Sequence, residues 1–124
     1  MALRDAHVWF AWVVVAANAA VGLWALGAHR EERLRGPWLW RATAVAQVAI
    51  FVEVALGVAM IALQDREVDQ FHAFYGFIAL ATVGIVYSYR QQLAPHRYLL
   101  YGFGGLFLMG LALRSITLSP FPSP

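Results

Sequence analysis

Residues 42–63 read ATAVAQVAIFVEVALGVAMIAL, an apolar run interrupted by one carboxylate, Glu53. At about 1.5 Å per residue a helix over this run covers roughly the 30 Å hydrocarbon core of a bilayer. With 100° per residue, Ala42, Ala46, Ala49, Gly57, Met60 and Gln64 fall within about 40° of Glu53. Val45, Val48, Phe51, Val52, Val54, Val58 and Ile61 fill most of the remaining circumference. Small residues let neighbouring helices approach, and branched ones can face lipid. Glu53 is therefore expected to point into a bundle. A carboxylate at that depth is costly and normally pairs, protonates or meets water. It is either a proton-active or ligand-facing group, or a neutral or paired residue that fixes packing.

Working outward, three more runs of similar length appear, so the expected spans are 8–28, 42–63, 71–89 and 98–118. The chain is 61% hydrophobic and 13% charged, far too apolar for a soluble domain of 124 residues. The fold class is all-α: one domain, a four-helix transmembrane bundle running up-down-up-down. All basic residues are arginine. Arg30, Arg33, Arg35 and Arg41 surround the first connection and Arg90 and Arg97 the third, against Arg4, Arg66 and Arg114 elsewhere. Basic loops stay inside, so both termini are expected outside, in a bacterial cytoplasmic membrane. The basic residues report topology and meet lipid headgroups; they do not suggest nucleic acid. Ala17-Asn18-Ala19 resembles a signal-cleavage site, but the apolar run continues to Ala28, which favours a retained span.

The sequence has no cysteine, which excludes disulfides and thiolate ligands. Ser88, Ser115, Ser119 and Ser123 show no evident His–Asp partner, and the histidines lack a zinc spacing. In the second connection, Asp65, Glu67 and Asp69 alternate, but Gln70 and Gly76 stand where a calcium loop needs glycine and glutamate.

Polar residues inside the spans carry what chemistry remains. His7, Ala11, Asn18, Gly22, Ala25 and His29 share one face of the first span. His72, Gly76, Ala79, Val83 and Val86 share a face of the third, with Tyr75 and Thr82 at its edge. Asn18 and Glu53 are expected at similar depth, below His7 and His72. Asn18, Glu53, Tyr75 and Arg114 form the expected buried polar set, although Arg114 could also snorkel outward. A Glu53–Arg114 pair requires Arg114 to reach down. His7 and His72 are candidate ligands of a b-type haem, which needs two imidazoles on facing helices with small residues beside them. A quinone-type site could use His72, Tyr75 and Glu53.

Arg41 with Ala46-Gln47 and Gly57, His72 with Tyr75-Gly76, and Leu113-Arg114 resemble a loose group of small uncharacterised four-span bacterial membrane proteins of actinobacterial type. The resemblance implies a four-span fold and no activity. Three functions remain open from sequence: a non-enzymatic accessory or scaffold subunit, a haem- or quinone-linked redox protein, and a proton-coupled transporter or channel built on Glu53. The first implies a membrane-protein partner or a homo-oligomer; the small-residue face of the fourth span (Gly102, Gly105, Met109, Ala112) would be an oligomer contact if it points out of the bundle.

Overall fold

The computed structural model of the protein describes residues 2–64 and 70–117; the acidic second connection and the proline-rich tail lie outside them. Four α-helices, α1 (Ala2–Arg30), α2 (Pro37–Gln64), α3 (Gln70–Ser88) and α4 (Arg97–Thr117), account for nearly all of these residues. Short 3₁₀ turns at Glu32–Leu34 and Ala94–His96 join α1 to α2 and α3 to α4. All four helices are long and apolar enough to cross a membrane.

The helix starts differ most from expectation in the first two spans. α1 begins at Ala2 rather than residue 8, and α2 at Pro37 rather than 42. The expected spans counted only residues at hydrocarbon depth, whereas the helical hydrogen bonds continue through polar ends. At Pro37 the ring pre-sets the first helical φ and its missing N–H costs nothing there. Gly36 before it has φ +147°, which suits only glycine and turns the chain into α2. At 29 and 28 residues, α1 and α2 extend about 42 Å, beyond the roughly 30 Å apolar core.

The helices form a ring in which α1 packs on α4 and α2, and α4 also packs on α3; α2 and α3 barely touch. The α1–α4 contact is made by backbone. A Cβ on Gly105 would lie 2.9 Å from Gly22 Cα, and one on Gly22 would lie 3.0 Å from the Gly102 carbonyl oxygen. Gly102 faces the Leu26 side chain just as closely. The small-residue face of α4 is thus the core seam, not an outward face for a second copy. On α2 the expected division holds: Ala46, Ala49 and Met60 are buried, while Val45, Val48, Phe51, Val52, Val58 and Ile61 are exposed to the lipid side.

Asn18 is buried in the α1 stripe, donating from Nδ2 to the Val14 carbonyl (3.0 Å) and to the Ala46 carbonyl (3.4 Å). Its level is therefore that of Ala46, about two turns or 10 Å from Glu53. The expectation that Asn18 and Glu53 share a depth is not met, because α1 starts earlier than residue 8 and shifts the register against α2. Above Asn18, Val14, Ile50, Val83 and Leu108 form an apolar core. At the arginine-rich end, Arg35 donates to the Ala28 (2.7 Å) and His29 (2.9 Å) carbonyls, capping α1, and lies 4.9 Å over the Tyr98 ring.

Gly105→Leu should lower stability by about 3 kcal/mol or more, since the side chain meets fixed backbone. Gly110→Leu, where an added Cβ meets nothing within 4 Å, should be nearly neutral. Unfolding in mixed detergent–SDS titrations measures both.

Candidate functional site

The second turn of α1 carries His7 and the first turn of α3 carries His72, and the antiparallel neighbours of these helices bring Glu53 and Ser115 to them. His7 Nδ1 lies 3.2 Å from the main-chain oxygen of Glu53 and 3.0 Å from its Oε1. A carbonyl oxygen only accepts, so this geometry puts the proton on Nδ1. The N–H is aimed at the main-chain oxygen. Both carboxyl oxygens of Glu53 are buried and left without an aligned hydrogen bond among the described residues.

His72 repeats the arrangement. Its Nδ1 lies 2.9 Å from the Ser115 carbonyl oxygen and 3.0 Å from Ser115 Oγ. The carbonyl again assigns the proton to Nδ1, so that atom cannot take one from the serine hydroxyl. The contact gives Ser115 a histidine neighbour on α3 that its place in the sequence does not reveal. The two imidazole rings stand 6.1 Å apart, centre to centre, with their planes at 71°. Each keeps Nε2 without a protein hydrogen bond among the described residues.

Both histidines line one cavity of about 280 Å³ at the end of the bundle where the N-terminus lies. Its wall is apolar apart from the two histidines, Glu53, Ser115 and Tyr75: Ala11, Val54, Gly57, Gly76 and Leu108 are among its other residues. The cavity lies where α2 and α3 make few contacts with each other, and residues of both helices line it. Val58, Ile61 and Phe77 of these helices border it and are exposed on the outside of the bundle. Gly57 seats the His7 ring, since a Cβ there would approach its Cε1 to 3.1 Å. A Cβ on Gly76 would meet nothing within 4 Å, so this glycine leaves space in the cavity.

The structure thus gathers His7, His72, Glu53 and half-buried Tyr75 at one site. It separates Asn18 and Arg114 from them. Arg114, expected with the buried polar set, is exposed on α4 and makes no pair with Glu53, whose neighbour is His7. Sequence reading missed Ser115 as the partner of His72. The register of two antiparallel helices carries that signal: His72 stands two residues into α3 and Ser115 two residues before the end of α4. Among the described residues no group of three or more His, Asp or Glu side chains could hold a bare metal ion.

No family model, curated protein or solved structure matches the chain.

Glu53→Leu should leave the fold as stable as the parent or raise stability by about 1–2 kcal/mol. It removes buried oxygens that lack aligned partners while the main-chain acceptor for His7 remains. Detergent–SDS unfolding measures this, and a clear loss of stability would make the carboxylate a packing device instead.

Proposed function

We propose that this protein is a membrane redox protein that takes an apolar, ring-shaped ligand from the bilayer into the cavity between α2 and α3. The observation that carries this reading is the placement of His7–Glu53 and His72–Ser115 together in an otherwise apolar, partly open cavity bordered by exposed apolar residues of α2 and α3. Polar groups buried at such depth are costly, and a ligand that engages them offsets that cost. Two classes of bilayer-soluble ring molecule can use imidazoles in an apolar slot, quinones and tetrapyrroles, and both are redox-active. On the orientation read from the arginine-rich loops, the site lies at the outer side of a bacterial cytoplasmic membrane.

The other two functions receive less support. The glycine face of α4, one surface on which a second copy could have docked, is occupied by α1. Proton transport needs a polar route from Glu53 across the membrane, and the neighbouring core of Val14, Ile50, Val83 and Leu108 is apolar and packed.

Binding of hemin and of a short-chain quinone to the detergent-purified protein, measured by titration calorimetry, tests this function. One of the two should bind at one molecule per chain. Gly76→Phe, which fills the cavity without meeting another residue at its Cβ, should weaken that binding at least tenfold with melting unchanged. Binding of neither ring, or binding indifferent to Gly76→Phe, would overturn it.

A further inference from the structure

Resting on the ring-ligand reading above, we infer that the ligand is a b-type haem held by His7 and His72 as its two axial ligands. The first argument is which atoms the site leaves available. Both Nδ1–H groups are directed at main-chain carbonyls, of Glu53 and of Ser115. What each imidazole still offers is the lone pair of Nε2. A metal-bound imidazole has this outer shell: its far N–H donates to a carbonyl or carboxylate, which fixes the tautomer and raises ligand basicity. A quinone asks for the opposite. Its two oxygens need donors, and the hydroxyls of Ser115 and Tyr75 are the donors the cavity wall has left. Two nitrogen lone pairs suit a Lewis acid.

The second argument is distance. A metal bonded to two imidazoles at about 2 Å each separates the ring centres by roughly 6 Å. The centres of His7 and His72 are 6.1 Å apart. The third is ligand number. No third side chain completes a set for a bare ion among the described residues, whereas a porphyrin fills four iron positions itself and asks the protein for two. The cavity, about 280 Å³ and partly open, falls just below the usual range for a ligand pocket, about 300–1,000 Å³. A flat ligand larger than that continues into the seam, where α2 and α3 leave room.

The test is the visible spectrum of the full chain purified from cells given a haem precursor, oxidised and then dithionite-reduced, with haem b quantified per chain. One haem per chain is expected, with a Soret band that shifts and sharp bands that appear on reduction. The 71° between the ring planes further implies a strongly anisotropic low-spin ferric paramagnetic resonance signal, unlike that of parallel imidazoles. His7→Ala and His72→Ala should each abolish the low-spin spectrum and cut haem retention at least tenfold. His72→Met should retain haem with an altered spectrum, which separates ligand loss from unfolding.

Haem that keeps its low-spin spectrum in both alanine variants would overturn the assignment of ligands. A colourless parent protein that takes no added hemin would overturn the haem. If that colourless protein still binds one short-chain quinone per chain, the ring-ligand reading stands without the haem; if it binds neither, both fall.

Discussion

The architecture depends on the close approach of α1 and α4. Gly22, Gly102 and Gly105 bring the two backbones together so closely that a Cβ on Gly105 would overlap the Gly22 backbone and one on Gly22 would be tightly crowded by that of α4. In lipid there is little hydrophobic drive between helices, so contact of this kind supplies the packing that holds a bundle. α2 then leans on α1 and α3 on α4. With the ring closed tightly on one side, the opposite side is left slack. The cavity is the geometric remainder of that asymmetry, and its place in the ring follows from three glycines some distance away.

The same asymmetry explains how the polar groups are tolerated. Each histidine sits on a helix that borders the cavity, and each finds its acceptor on the adjacent antiparallel helix. These two cross-helix bonds tie α1 to α2 and α3 to α4 at the end where the seam is open. Main-chain oxygens near the end of α4 lack helical partners, so the Ser115 carbonyl is a natural acceptor. The Glu53 carbonyl lies well inside α2, and there the imidazole adds a second donor to an oxygen that the helix already uses. Glu53 itself gains least from the arrangement: its carboxyl is close to His7 yet lacks an aligned bond.

Much of the fold was legible in the sequence because hydropathy in blocks of membrane thickness is a strong signal. The facing of α2, the inward stripe of α1 and the buried Ala79, Val83 and Val86 of α3 all followed from helical periodicity. The facing of the fourth helix stayed open because its glycines and its large residues form opposite faces, and periodicity alone does not say which one meets protein. Only the distance between backbones does. In the site, His7, His72, Glu53 and Tyr75 could be named from their rarity at membrane depth. Their pairing could not. Glu53 was matched to Asn18 and Arg114 by counting from expected helix ends, and the early start of α1 moved that register by about two turns. Ser115 was invisible for a related reason: its role belongs chiefly to its main-chain oxygen, which every residue has.

The dominance of the α1–α4 contact also governs how the chain is made. α1 is synthesised before α2 and α3, yet its main partner is α4. Until α4 is in the membrane, the Asn18 stripe of α1 has no glycine wall to shield it, and a polar amide stands in hydrocarbon. The α1–α4 contact joins residues about 80 positions apart, Gly22 with Gly102 and Gly105, and contacts of such separation form slowly. A chain halted before α4 would carry the marks of an orphan, an exposed amide and an unfilled groove, by which a membrane protease could tell it from the finished bundle.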